Sequence, residues 1–260
     1  MKLGISWNSY GGDLTRDEQI ALMKKNGFEA TFMGSKNNDP DESINALRQA
    51  GIDVETLHAP YDRINDIWYA GDAGDEMLNR LIGCAEAAKR NHVPVIIVHM
   101  SSGLKPPMIS DIGNARFAKL VEKARALGVT LAFENQRMLA NLALMFDYYE
   151  DARFCWDVGH EACFTPGREY MPLFGGKLVA LHIHDNTCEF CKDYHMLPYD
   201  GKIDFDHVAK QIAESGFEGT VMLEVGRWGS KFYDDMSAED YFARAGEATR
   251  KLRDKIQSYR

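Results

Sequence analysis

Short β-rich runs alternate with amphipathic stretches from one end of this chain to the other. A clear example is the apolar run Val93–His99, which lies between two stretches of helical spacing, Asp75–Arg90 and Ile109–Leu127. An apolar run bounded in this way predicts a buried parallel strand, and successive parallel strands need a crossover helix between them. The alternation therefore predicts an α/β protein built on a parallel sheet.

Eight such β/α units follow one another along the 260 residues. The predicted strands are Lys2–Trp7, Phe28–Met33, Val54–His58, Val93–His99, Thr130–Glu134, Arg153–Asp157, Lys177–His184 and Thr220–Val225. The predicted helices are Leu14–Asn26, Asp41–Ala50, Asp75–Arg90, Ile109–Leu127, Asn141–Tyr149, a weak one around Tyr170, Phe205–Ser215 and Ala238–Gln257. An open doubly wound sheet has the same local pattern. Eight units at this length, without a Pro/Ser-rich linker, favour a (β/α)₈ TIM barrel that forms a single domain over residues 1–260.

The charge of the chain bears on its partners. Asp and Glu number 39 against 30 Lys and Arg, so the formal net charge is −9. An acidic chain has no overall attraction for nucleic acid or anionic lipid, and we expect neither as a partner. Met1–Tyr10 lacks the long apolar core of a signal peptide, and no stretch has the apolar length of a membrane span.

The cysteines indicate a compartment. Five of them are scattered along the chain and suggest no disulfide framework, so a cytoplasmic location is expected. The single C-x-x-C pair, Cys188 and Cys191, is half a zinc site, and we interpret it as incidental. The sequence is compatible with a homo-oligomer as well as with a monomer.

Polar residues stand where most of the predicted strands end. Three segments are especially rich in them: W-D-V-G-H (156–160), H-I-H-D (182–185) and D-Y-H-M-L-P-Y-D-G (193–201). The carboxyl ends of all strands of a barrel open at one mouth. The candidate metal ligands at that mouth are His58, His99, Glu134, Asp157, His160, His182, Asp193, His195 and Glu224.

This set indicates a metal site rather than a collection of loop residues. A lone histidine that closes a strand is more often hydrogen-bonded than metal-bound, but Glu134 and Glu224 each end an apolar run, where a carboxylate has no packing role. Four carboxylates near one point repel one another unless divalent cations lie among them. Carboxylate with imidazole suits zinc, manganese, iron or cobalt better than calcium. We therefore expect one to three divalent ions.

The motifs resemble those of the xylose-isomerase-like TIM barrel superfamily, which includes sugar-phosphate isomerases and epimerases, ketose 3-epimerases, inosose dehydratases and endonuclease IV. The similarity covers nearly the whole chain. Its most specific parts are D-V-G-H at 157–160, H-I-H-D at 182–185, D-Y-H-x-L-P-x-x-G at 193–201 with the following K-I-D-F, and Glu224 after G-F-E-G-T-V.

The resemblance implies a ligand set for each of two kinds of site. The first kind of site is the one-metal site of the ketose epimerases, and the resemblance implies that its ligands here are Glu134, Asp157, His182 and Glu224. The second kind of site is the trinuclear zinc cluster of endonuclease IV. Its further ligands are matched in this chain by His58, His99, His160, Asp193 and His195. His184 is expected to be an auxiliary or hydrogen-bonding neighbour. Residues of both kinds are present, so the number of ions stays open at this point.

Two main functional hypotheses follow. The leading one is a metal-dependent sugar or sugar-phosphate isomerase or epimerase that acts on a small carbohydrate. In it Glu134 and Glu224 transfer a proton through a cis-enediolate, and His160 holds a substrate hydroxyl or joins the metal set. The alternative is a multi-zinc phosphodiesterase resembling endonuclease IV, against which stand the acidic charge and the lack of a basic, aromatic-interleaved loop. A sugar or inosose-type dehydratase needs the same acidified C–H and is a third possibility.

Further features at the predicted mouth concern the substrate. Trp7 and Trp228 are candidates for an apolar wall against a sugar face, and Arg227 is a candidate for binding a carboxylate or phosphate. Tyr61–Ala70 extends the loop after the third strand, either as a lid or as a surface excursion. Ser101–Gly103 could offer backbone N–H groups to a phosphate, although its composition is that of an ordinary turn.

Overall fold

Eight parallel strands form the centre of the molecule. The computed structural model describes residues 1–12, 14–34, 40–227 and 231–260. The strands are β1 (Leu3–Ile5), β2 (Ala30–Met33), β3 (Asp53–His58), β4 (Val95–Val98), β5 (Thr130–Glu134), β6 (Arg153–Asp157), β7 (Leu178–His182) and β8 (Val221–Leu223). They pair in the order β7-β6-β5-β4-β3-β2-β1-β8.

The sheet closes on itself between β7 and β8. A parallel bridge joins Ile183 to Leu223 just beyond these strands. The Ile183 N–H donates to the Met222 carbonyl oxygen at 2.9 Å, and the Glu224 N–H donates to the Ile183 carbonyl oxygen at 3.0 Å. The prediction of a single-domain (β/α)₈ barrel is confirmed.

Helices occupy the connections between the strands. In the described part of the chain they are α1 (Arg16–Lys25), α2 (Pro40–Gln49), α3 (Asp72–Arg90), α4 (Asp111–Leu127), α5 (Leu139–Tyr148), α6 (Val158–Phe164), α7 (Met171–Phe174), α8 (Phe205–Glu214) and α9 (Ala238–Ser258), with short 3₁₀ helices at Ile64–Trp68 and Gly175–Lys177. The predicted helices are confirmed with shifted ends. Helix α6 was not predicted, because D-V-G-H looked like a loop.

Two kinds of apolar packing hold the barrel together. A large cluster of buried residues includes side chains from both strands and helices. A smaller one, Ile97, Ala132, Cys155 and Ala180, is separate from it. Since successive strand residues point to opposite faces, these four residues share one face of the sheet, the barrel interior. The residue two positions further along each of these four strands lies on the same face, and in each case it is a predicted ligand: His99, Glu134, Asp157 and His182.

The segment after β3 is anchored rather than projecting. Trp68 is buried, and its indole Nε1 donates to the Met100 carbonyl oxygen at 2.7 Å. The side chain of Asn65 donates to the Ser102 carbonyl oxygen at 2.9 Å and accepts from the Ser102 N–H at 2.8 Å. The segment Tyr61–Ala70, which the sequence predicted as either a lid or a surface excursion, is thus hydrogen-bonded to the loop after β4.

Two expectations concern the chain as a whole. Within the described ranges, no helix combines the length and apolar character needed to cross a membrane. The five cysteines are all free thiols, of which Cys155 and Cys163 are buried.

Candidate active site

All nine predicted ligands lie at the carboxyl end of the barrel. Three sets drawn from these residues and from His184 converge so closely that one ligand atom from each member lies within 4.8 Å of the others. The first set, Glu134, Asp157, His182 and Glu224, is called the central group below. The second consists of His58, Glu134 and His182. The third, called the loop group, consists of His160, His184, Asp193 and His195.

The central group is built from the ends of four neighbouring strands. Glu134, Asp157 and His182 are the last residues of β5, β6 and β7, and Glu224 directly follows β8. His182 Nδ1 contacts Glu134 Oε1 and lies 3.1 Å from Glu224 Oε2. One imidazole nitrogen therefore stands between two carboxylates. Glu134 is fully buried, whereas the Glu224 side chain is 14% exposed and is the more accessible of the two.

His58 and His99 approach the other oxygen of Glu134. The His58 Nδ1–H donates to the Ala59 carbonyl oxygen at 2.8 Å, which leaves Nε2 of a neutral ring as an acceptor. That Nε2 atom lies 3.2 Å from His99 Nε2 and 3.4 Å from Glu134 Oε2, which His99 Nε2 also contacts. Burial lowers the pKa of His99 and favours its neutral form. Two imidazoles and a carboxylate that face one point are a donor set for a cation.

The loop group also combines imidazoles with a carboxylate. His160 Nε2 and His195 Nε2 each lie 3.3 Å from Asp193 Oδ2, and His184 Nε2 lies 3.7 Å from Asp193 Oδ1. Asp193 Oδ1 is buried and has no hydrogen-bond partner among the described residues. The His195 ring is held by its Nδ1–H, which donates to the Glu224 carbonyl oxygen at 2.8 Å. An unpartnered carboxylate oxygen beside three imidazoles fits a divalent cation.

Opposite charges dominate the protonation of this group. Burial lowers the pKa of His160, but the carboxylates of Asp157 and Asp193 raise it to about 10. Burial also lowers the pKa of His195, and Asp193 raises it to about 9. Burial raises the pKa of Asp193, but His195 and His160 hold it well below its usual range. Asp193 is therefore a carboxylate at neutral pH.

Helix α6 explains the motif D-V-G-H. Asp157 is its N-cap, and Asp157 Oδ1 accepts from the His160 N–H at 2.6 Å, which sets His160 one turn into the helix. A Cβ atom at Gly159 would overlap the His184 ring, so only glycine lets α6 approach so closely. The Asn135 side chain fixes the start of the helix, since it donates to the Asp157 carbonyl oxygen and accepts from the Asp157 N–H, both at 2.7 Å.

Asp185 organises the long loop that follows β7. Its carboxylate accepts from the N–H groups of Gly201 at 2.8 Å and Ile203 at 3.0 Å. An antiparallel bridge between Asp185 and Met196 brings the chain back beside the barrel. His195, next to this bridge, adopts a positive φ of 48°. Asp185 thus has a structural role, and it returns Asp193 and His195 to the mouth.

Gln136, Arg137 and Phe164 at the mouth were missed in the sequence, whereas Tyr61 belongs to the predicted segment Tyr61–Ala70. The Gln136 amide nitrogen lies 3.2 Å from His99 Nε2 and 3.0 Å from His160 Nδ1, and so links two predicted ligands. The Tyr61 ring packs 4.7 Å from the His99 ring. Both line a cavity of about 230 Å³, together with Arg137 and Phe164. The polar run E-N-Q-R directly after β5 is the signal that could have identified Gln136 and Arg137.

The substrate candidates have mixed outcomes. Ser102 and Gly103 line the cavity. Trp7 packs against the apolar core, and Trp228 lies outside the described residues. The Arg227 guanidinium lies 4.3 Å from the centre of the Tyr10 ring, and the backbone N–H of Arg227 donates to the Ser9 carbonyl oxygen at 2.9 Å.

A TIM barrel with carboxylates and imidazoles gathered at its mouth defines a class of proteins. The chain belongs to the xylose isomerase-like TIM barrel family, whose sequence model matches residues 20–252. A relative from Sinorhizobium fredii (strain NBRC 101917 / NGR234), the uncharacterized protein y4fM, is 32% identical over 107 residues. That match covers 41% of this chain and 32% of the relative's length.

Solved structures share the whole fold at low sequence identity. The IolI protein with a bound zinc atom has a TM-score of 0.81 and 17% identity, covering 100% of this chain and 99% of that one. D-psicose 3-epimerase from Clostridium cellulolyticum H10, solved with D-tagatose, has a TM-score of 0.79 and 15% identity, with 98% and 99% covered. L-ribulose 3-epimerase has a TM-score of 0.77 and 16% identity, with 100% and 96% covered.

Proposed function

We propose that the protein is a divalent-metal-dependent sugar isomerase or epimerase that moves a proton next to a substrate carbonyl. The observation that carries this proposal is the position of His182 Nδ1 between the carboxylates of Glu134 and Glu224. Two glutamates at one site can remove and return a proton. The family and the similarity to epimerases of L-ribulose and D-psicose support a carbohydrate substrate.

The central group would hold the metal. Its four side chains supply three carboxylate oxygens and an imidazole nitrogen, a donor set for zinc or manganese, and zinc is the metal in the similar IolI structure. A divalent ion bound there would polarise the substrate carbonyl and acidify the adjacent C–H. The histidines His58 and His99 and the loop group offer donors for further ions.

The proton transfers themselves would be made by this chain's carboxylates. Burial raises the pKa of Glu134, but His182 and His99 lower it well below the usual range. Burial also raises the pKa of Glu224, and His182 lowers it below the usual range. Both side chains are therefore ionised bases at neutral pH. Glu224 lines the cavity and would meet the substrate first. His160, which lines the same cavity, would hold a substrate hydroxyl or serve as a ligand.

A second candidate function, a multi-zinc phosphodiesterase, is favoured by one observation. The donors needed for two further ions lie on either side of the central group, and Asp193 Oδ1 among them has no hydrogen-bond partner in the described part of the chain. The formal charge of −9 disfavours a nucleic acid substrate.

Heavy water separates these candidates. Metal-loaded enzyme is incubated with a panel of ketoses in D₂O, and deuterium on the carbon next to the carbonyl is measured by NMR. Exchange with isomerisation or epimerisation supports the proposal, and loss of a hydroxyl would instead identify a dehydratase. Metal-dependent incision of an abasic duplex, without exchange in any ketose, would refute it in favour of the phosphodiesterase.

A further inference from the structure

Arg137 brings a permanent positive charge to a cavity that is otherwise lined by histidines and by the carboxylates of Asp193 and Glu224. It lines the cavity of about 230 Å³ that also contacts Glu224, Asp193 and His160. Among the described residues of that lining, Arg137 is the one arginine or lysine. It follows Gln136, which contacts both His99 and His160, so the guanidinium belongs to the same short segment as the site.

The guanidinium of Arg137 is oriented but not neutralised. Its central carbon lies 3.5 Å from the centre of the Phe164 ring, and that ring in turn stacks 4.8 Å from the His160 ring. Arg137 Nε is buried without a hydrogen-bond partner, and none of the described carboxylates lies within ion-pair distance of the guanidinium. An arginine that packs against an aromatic ring is attracted to the ring face, and this contact restrains the position of its guanidinium.

Such an arrangement leaves the buried Nε–H of Arg137 available to an acceptor from outside the chain. A partly buried guanidinium loses water contacts, and each unmade hydrogen bond of a charged group costs free energy. Its planar fork matches the two oxygens of a carboxylate or phosphate. The neighbouring loop contributes less, because the Ser102 N–H is already used by Asn65 Oδ1 at 2.8 Å.

We infer that Arg137 binds an anionic group of the substrate, so that the substrate is a sugar acid or a sugar phosphate rather than a neutral sugar. This inference rests on the proposed function. Elsewhere in the cavity the carboxylates of Asp193 and Glu224 repel an anion, so the anionic end is directed to Arg137 and the neutral carbonyl end is left for the central group.

The test uses pairs of ketoses that differ in one terminal group. D-ribulose is compared with D-ribulose 5-phosphate, and D-fructose with D-fructuronate, using metal-loaded enzyme in D₂O. One anionic member should show a kcat/KM for exchange roughly 10- to 100-fold above its neutral partner, as expected for a charge-assisted, bidentate hydrogen bond. The first pair reports on a phosphate and the second on a carboxylate.

Variants at Arg137 show whether this preference for the anionic ketose depends on Arg137. Arg137→Met should bring the ratio close to one, and Arg137→Lys, which keeps the charge but loses the fork, should retain part of it. Arg168→Met is the matched control, because Arg168 is exposed and lines a different groove, and its ratio should equal that of wild type. If Arg137 only supported the fold, Arg137→Met would slow both members equally and leave the ratio intact, which would overturn the inference. A wild-type ratio near one would do the same.

Failure of the proposed function gives a different result. If wild type exchanges neither member of either pair, the anion site is measured alone, by calorimetric titration of the metal-loaded protein with inorganic phosphate and with acetate. Binding of either anion that is tenfold weaker in Arg137→Met than in Arg168→Met supports the inference. Equal binding in the two variants refutes it.

Discussion

Gly159 is the residue on which the close approach of α6 to the loop group depends. A Cβ atom at this position would overlap the His184 ring, although carbon atoms normally pack about 3.5–4 Å apart. In Gly159→Ala the ring would have to move by more than roughly 1 Å. It has no free direction, because it is fully buried and stacks 4.1 Å from the His195 ring.

The cost of this substitution can be worked out from its parts. Overpacking a buried site costs about 1–3 kcal/mol, and loss of the contact between His184 Nε2 and Asp157 Oδ1, now 3.1 Å, costs about 1 kcal/mol more. Alanine in a helix gains back up to about 1 kcal/mol over glycine. The net loss should be about 2 kcal/mol, which lowers Tm by roughly 4–8 °C in a domain of this size.

The matched control is Gly83→Ala, in the middle of α3. No atom lies within 4 Å of a Cβ built at Gly83, so alanine there should stabilise the protein by up to about 1 kcal/mol. Thermal melts of the metal-free proteins give the two shifts, and elemental analysis of the loaded proteins shows whether the loop group still binds metal. Equal melting temperatures for the two variants would refute the argument that α6 needs a glycine here.

Three further predictions concern the carboxylates and His182. Asp157→Ala or His182→Ala should remove metal and activity together from a folded barrel; full metal content by elemental analysis would show that the ligand assignment is wrong. Glu134→Gln or Glu224→Gln should keep substantial metal but lower turnover by roughly 10²–10⁴-fold, and activity restored by excess zinc or manganese would contradict proton transfer by these residues. Burial raises the pKa of Glu161 to about 7 from its ordinary 4.5, so the folded state binds this proton more tightly and stability should fall as pH rises from 4.5 to 7. In the wild type this fall in the free energy of unfolding should reach up to roughly 2 kcal/mol by pH 8, and Glu161→Gln should remove it. Urea melts across this pH range measure it, and an unchanged pH profile in the variant would contradict the prediction.

The fold could be predicted because hydrophobic periodicity is local. Thr130–Glu134 and Arg153–Asp157 have the predicted bounds, since each is an apolar run between turn residues. The convergence of the ligands also followed from the sequence, because parallel strand ends meet at one mouth. Helix α6 was missed although Asp157 is a good N-cap residue, because seven residues that include a glycine give little helical periodicity.

The substrate side of the site could not be predicted in the same way, because it depends on contacts between distant segments. Arg227 stood next to a strand end and was a candidate for binding a carboxylate or phosphate, and in the structure its guanidinium lies over the Tyr10 ring. Arg137 stood in an equivalent position after β5, and only its stacking on Phe164, from the unpredicted helix α6, distinguishes it. A strand end fixes where a side chain starts, whereas its direction and charge partner depend on what packs beside it. Ligands such as Glu134, Asp157 and His182 needed only their own strand ends, while the arginine needed a second element whose position the sequence did not reveal.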